Sequence, residues 1–218
     1  MVRRALVLIM LIVLAIVLSA AGDEMKKARI LVFDGLADWE IGLISYELNT
    51  RNDVPVETVG LFESPVVTGG GLRVVPDVLV DSVDPSESAV LILPGGEMWH
   101  GEGDSRIEHL VRSHIERGVP VAAICAATSY LARLDVFDGG IRHTSNALPY
   151  LKEFVPEYEG EDSYVECSGV SDAAIITAGG EASREFAYEV LKALNVYDDE
   201  VLAEFAEFWG CRVGAPSN

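Results

Sequence analysis

Basic side chains are scarce in this chain: 16 Lys and Arg stand against 35 Asp and Glu, a formal net charge of -19 at pH 7. A nucleic-acid binder needs clustered Lys and Arg to displace condensed counterions. No such cluster occurs, so no nucleic-acid partner is expected. The acidity suits solubility and disfavours anionic membranes and highly anionic substrates. Cysteine is also sparse. Cys125, Cys167 and Cys211 are odd in number and widely spaced, which gives neither a disulfide framework nor a CxxC-type zinc pattern. The four histidines, His100, His109, His114 and His143, show no HExxH or other ligand spacing. No metal and no cofactor is therefore expected. His109 and His114 lie in a polar helical stretch and read as surface residues.

Long apolar runs are absent except at the start. "MVRR" is followed by the unbroken "ALVLIMLIVLAIVL" and then by the small residues "SAAG". That order is the pattern of a secretory signal, and Ala5 to Gly22 could instead serve as an uncleaved membrane anchor. "MKKARILVFDG", beginning at Met25, also reads as an ordinary cytoplasmic start. The chain is thus expected to be exported or anchored, or else cytoplasmic with translation from Met25. Residues 1–24 stand outside the fold argument on either reading. Residues 25–212 read as one domain and residues 213–218 as a tail, with no internal repeat, linker or low-complexity segment.

Within the domain, apolar strand-like runs alternate with helical patterns. "ARILVFDG", "VPVETVGL", "AVLILPGG" and "VPVAAIC" are strand candidates, and "SPVVTGGGLRVVPD" reads as a hairpin about its glycines. "DWEIGLISYELNTR" is an amphipathic helix. "DSRIEHLVRSHIERG" is another, capped at Asp104 or Ser105 and stopped at Gly118. "IRHTSN" is short and extended. "SYVECSG" and "DAAIITAGG" are later strand candidates, and "EASREFAYEVLKALN" and "DDEVLAEFAEFW" are closing helices. This alternation predicts an α/β fold with a parallel sheet covered on both faces.

In open α/β sheets ligands bind beyond the carboxyl ends of the strands. Three marked sequences fall there: "FDGLADWE", "LPGGEMWH" and "AAICAAT". Cys125 stands where a buried strand becomes a helix. The partial positive charge and free N–H groups of a helix start favour a thiolate and lower a thiol pKa. A sharp strand-to-helix turn also lifts the side chain out of the packing, as in a nucleophile elbow. The bland alternative is a packed structural thiol. Pro94-Gly95-Gly96 is either a plain turn or a source of backbone N–H groups for an oxyanion. Glu40 is ordinary at a helix start. Near a thiol, burial would raise its pKa and let a protonated carboxyl donate to a thiolate, with Trp39 as an apolar wall.

Taken together, "ILVFDGLADWEIG", "LILPGG", "VAAICAATSYLA" and "ITAGGEASREFAYEVLKAL" resemble the ThiJ/PfpI family, also called the DJ-1 superfamily, among the class I glutamine amidotransferase-like folds. The resemblance runs from about Arg29 to Trp209. It implies a flavodoxin-like three-layer sandwich with a mostly parallel sheet and a cysteine nucleophile elbow. It implies Cys125 as nucleophile, Glu40 as its glutamate, and Gly96 (with Gly95) and Ala126 as backbone donors. It also implies a homodimer. Family activities include glyoxalase or deglycase chemistry on reactive carbonyls, peptidase and chaperone activity, and oxidative-stress sensing.

The chain departs from the family pattern in places. The peptidase-like branch carries His directly after the cysteine, where this chain has Ala126. The late His-x-Glu pair of true glutamine amidotransferases is missing. The carbonyl-active branch often has a histidine where "RHTSN" places Ser145. His143, two residues earlier and on the same face of a strand, could stand in as the base. Trp99, His100 and Ser145 are further pocket candidates. The expectation is a Cys125-dependent enzyme acting on a small electrophile or carbonyl compound. A redox sensor or chaperone using Cys125 oxidation is the alternative, with a peptidase or amidase behind it.

Overall fold

A computed structural model describes residues 25–212. The signal or anchor reading of residues 1–24 and the tail at 213–218 lie outside those residues. Among the described residues, no helix is long and apolar enough to cross a membrane.

The centre of the fold is a seven-stranded sheet. In chain order its strands are β1 (Lys27–Val32), β2 (Val56–Gly60), β5 (Val78–Leu79), β6 (Ser88–Leu93), β7 (Val121–Ile124), β8 (Gly169–Asp172) and β9 (Ile175–Ala178). Their spatial order is β5-β2-β1-β6-β7-β9-β8. Every pairing is parallel except β8 against β9. A separate hairpin joins β3 (Val66–Val67) to β4 (Arg73–Val74), about the predicted glycine turn. The helices are α1 (Asp38–Tyr46), α2 (Ser105–Glu116), α3 (Ala127–Arg133), α4 (Leu148–Phe154), α5 (Ser183–Ala193) and α6 (Asp199–Trp209).

The pattern of apolar residues explains the layers. β7 and β9 are buried along their whole length, as are Leu91, Ile92 and Leu93 of β6. A strand buried on both faces needs cover on both sides, which the helices flanking the sheet supply. α2 starts where Asp104 accepts from the Arg106 N–H and ends before Gly118, whose φ of +67° stops it.

Three expectations are corrected. "DWEIGLISYELNTR" is not one α-helix, since it turns π-helical over Glu47–Arg51. "SYVECSG" forms no strand. It meets "IRHTSN" in a single bridge between His143 and Tyr164, and β8 begins only at Gly169, antiparallel to β9. His114 is not a surface residue: it is fully buried, its ring nitrogens engaged by the Leu110 carbonyl and the Ser88 hydroxyl. A histidine satisfied at both nitrogens can enter a core that an unpaired one could not.

Candidate active site

β1, β6 and β7 lie side by side, and the segments leaving their carboxyl ends carry Glu40, Pro94-Gly95-Gly96 and Cys125. β7 delivers its last residue, Ile124, fully buried, and the chain then turns at once into α3. Cys125 takes the turn with φ of +59°, a left-handed conformation that costs a non-glycine residue about 1–3 kcal/mol. The neighbourhood holds it there. Its N–H donates to the Ala178 carbonyl of β9 at 3.0 Å, and its carbonyl accepts from the Thr128 hydroxyl at 2.6 Å. The buried Ala126 and Ala127 keep the turn small.

Glu40 sits in the first turn of α1 and is only 1% exposed. Its Oε2 accepts from the Gly95 N–H at 2.6 Å. The Ala37 N–H donates back to the Gly95 carbonyl at 2.9 Å, so the α1 start and the Pro-Gly-Gly turn are stapled together. Oε1 has no partner of its own and lies beside the Cys125 thiol. Glycine is required in this crowd. A Cβ on Gly95 would stand 2.7 Å from both Cys125 Cβ and Glu40 Oε2, and one on Gly180 would stand 2.8 Å from Cys125 Sγ.

The electrostatics are those of two acids sharing one small space. Burial raises the Glu40 pKa against the opposing Gly95 hydrogen bond and the pull of the neighbouring Cys125 thiol, in the direction the sequence suggests. Burial and the Glu40 carboxylate push the Cys125 thiol up to about 11. That reverses the lowering expected from a helix start. The Ala126 N–H and the Asn146 amide do favour the thiolate, but burial and a like charge outweigh them. Both members are thus raised, each disfavouring its charged form in this buried space.

The sequence model of the DJ-1/PfpI family matches residues 26–193. The chain belongs to the DJ-1/PfpI family. Among DJ-1/PfpI relatives, the Bacillus subtilis (strain 168) protein named "Uncharacterized protease YoaZ" is 36% identical over 186 residues, covering 82% of this chain and 88% of its own. The crystal structure of a thiJ/pfpI family protein from Bacillus anthracis shares 40% identity, covers 84% of this chain and 90% of that one, and superposes with a TM-score of 0.77. "Protein/nucleic acid deglycase 2" of Escherichia coli (strain K12) is 32% identical over 117 residues, 52% of this chain and 67% of its own.

In this DJ-1/PfpI protein, several other residues singled out in the sequence lie elsewhere. His143 is fully buried and does not serve the thiol. Its Nδ1 meets the Ile141 carbonyl at 2.8 Å and its Nε2 the Tyr158 hydroxyl at 2.5 Å, while its ring stacks on Phe137 at 3.8 Å. Both nitrogens are spent on structure. Ser145 backs the elbow instead of facing a substrate, its hydroxyl 2.6 Å from that of Thr128. Trp39 is 63% exposed and packs towards Gly69, so it is no wall for Glu40. Trp99 is buried and donates from Nε1 to the Pro94 carbonyl at 2.6 Å. It wedges the Pro-Gly-Gly turn in place and stays out of the thiol pocket. The Gly95 N–H is committed to Glu40 and is not free for an oxyanion. His100 bonds Tyr150 and Glu97.

The residues that sequence reasoning missed come from the far side of the crevice. The Asn146 amide donates to Cys125 Sγ at 3.5 Å, and its Oδ1 accepts from the Gly180 N–H at 2.9 Å. Tyr150 lies close enough to feel the Cys125 charge. A signal for Gly180 was present in "ITAGG", a glycine pair ending a strand. Asn146 and Tyr150 carry no local signature, because their role comes from the chain folding back over the elbow. Among the described residues, no group of three or more His, Cys, Asp or Glu side chains is placed to hold a metal ion.

Proposed function

We propose that this protein is a cysteine-dependent enzyme acting on small reactive carbonyl compounds. The observation that carries this reading is the Cys125–Glu40 contact: a strained nucleophile elbow whose thiol faces a buried carboxylate with one unpartnered oxygen. Cys125 Sγ attacks the carbonyl carbon and its proton passes to Glu40, whose raised pKa makes it a good acceptor. The Gly96 and Ala126 N–H groups are the backbone donors for the developing oxyanion. The name of the Escherichia coli relative, a deglycase, lies in the same area of chemistry. The name of the Bacillus subtilis relative points to proteolysis, but the residue after the nucleophile is Ala126, whose side chain can act as neither acid nor base.

The same contact supports a second reading, reversible oxidation of Cys125. The unpartnered Glu40 oxygen would hydrogen-bond an oxygen added to Sγ.

The test compares methylglyoxal consumption by the wild type and Cys125→Ser. Faster loss with the wild type is expected, and equal rates would remove carbonyl chemistry at this thiol. If mild peroxide then oxidises Cys125 ahead of Cys167 and Cys211, by mass spectrometry, the redox reading takes its place.

A further inference from the structure

The carbonyl oxygen needs a proton when Cys125 bonds to its carbon, and the usual candidate is absent. Ser145 stands where a histidine was sought, and His143 is locked into an aromatic cage. A different cluster faces the thiol. The Tyr150 hydroxyl lies 2.8 Å from His100 Nε2, and His100 Nδ1 lies 3.1 Å from Glu97 Oε2. Tyr150 also lies near enough to the Ser129 and Asn146 side chains and to Cys125 to feel them electrostatically, and Asn146 touches Cys125 Sγ.

The cluster is built rather than incidental. His100 stacks on Phe154 with ring centroids 4.0 Å apart and planes at 15°. Phe154 also packs against Tyr150 at 4.8 Å. Tyr150 and Phe154 are i and i+4 on α4, so one helix face grips the imidazole. The outer end of the chain is wet, since the Glu97 side chain is 98% exposed.

We infer that Tyr150, backed by His100, is the proton donor to the carbonyl oxygen of a substrate attacked by Cys125. The assignment rests on the carbonyl reading above. In the orientation in which His100 Nε2 donates to the Tyr150 oxygen, the phenol proton is free to point towards the substrate carbonyl. As the S–C bond forms, the thiol proton goes to Glu40 and the C=O π pair moves onto oxygen. That oxygen takes the Tyr150 proton, and His100 passes its Nε2 proton to the phenolate. Solvent, which reaches the cluster beside the exposed Glu97, replaces the proton that His100 gave up. Burial, with the nearby Cys125, pushes the Tyr150 hydroxyl up to about 12, which keeps it in its donor form.

The test separates proton donation from thiol reactivity. Alkylation of Cys125 by iodoacetamide expels iodide and needs no proton at the electrophile, whereas methylglyoxal addition does. Tyr150→Phe should keep the alkylation rate and the methylglyoxal KM but lower kcat about 100-fold, the lower edge of general acid catalysis. His100→Asn should act in the same direction by less. Unchanged kcat in Tyr150→Phe overturns the donor while leaving carbonyl chemistry standing. An equal loss of alkylation and turnover also overturns it, because Tyr150 would then only hold the thiol in place. A wild type no faster than Cys125→Ser defeats the carbonyl reading, and the donor falls with it.

Discussion

Cys125 and Glu40 behave as one acid with two sites. Burial first and the Glu40 charge second hold the Cys125 thiol at about 11. Glu40→Gln keeps an oxygen for the Gly95 N–H but removes the charge. Its iodoacetamide rate should therefore rise with pH in a single step, displaced from about 11 towards the ordinary thiol value of about 8.5. An unchanged profile would show the carboxylate to be electrically remote from the thiol. At this scale the sequence is informative where chemistry is local. Cys125 is legible from "VAAICAAT" because an apolar strand-like run meets a helical pattern there, among small residues that leave room for a sharp turn. Its pKa is not legible, since the competing charge arrives from α1, far away in the chain.

The segment between α3 and β8 leaves the weakest trace of its structure in the sequence. "IRHTSN" and "SYVECSG" both look extended, yet beyond the one bridge at His143 the chain there is held by side chains rather than by a strand ladder. The Thr144 N–H donates to the Thr177 hydroxyl at 2.8 Å, and the Thr144 hydroxyl donates to the Cys167 carbonyl at 2.9 Å. His143 and Tyr158 complete the clamp. Hydrogen bonds of this kind follow no period, which is why alternation of apolar residues could not foretell them. Tyr158→Phe should leave His143 Nε2 buried and unpaired, at a cost of about 1–3 kcal/mol, read as a lower urea midpoint. A shift below about 0.5 kcal/mol, within the range of ordinary surface changes, would mean that the stacked Phe137 ring and the edge-on Tyr164 ring hold the clamp alone. By contrast, β1, β6, β7 and β9 are plain in the sequence as buried apolar runs.

Over the whole molecule, acid should be felt first through histidine. Burial lowers the pKa of both His114 and His143 below the ordinary value, which is about 6.5. Unfolding frees them to protonate near that value, so the unfolded chain binds more protons below it. The stability they contribute is fully present above about pH 6.5 and is lost as pH falls towards their folded values, by up to about 1.4 kcal/mol per pH unit for each. Glu40, with its raised pKa, works with the opposite sign. His114 separates the effects, because it bonds Ser88 at the start of β6, the end of the strand remote from Gly95. The urea midpoint should drop between about pH 7 and about pH 5.5, and drop less in His114→Gln. An equal drop in that variant would place the acid sensitivity elsewhere.

The strand order has one more effect. Glu40, Gly95 and Cys125 leave three adjacent central strands, so the site is assembled only when the middle of the sheet is complete. A nascent or half-unfolded chain carries an ordinary solvated thiol with no carboxylate beside it. Reactivity at Cys125 is thus an internal gauge of whether the sheet has closed, and chains that fail to close it are chemically unremarkable.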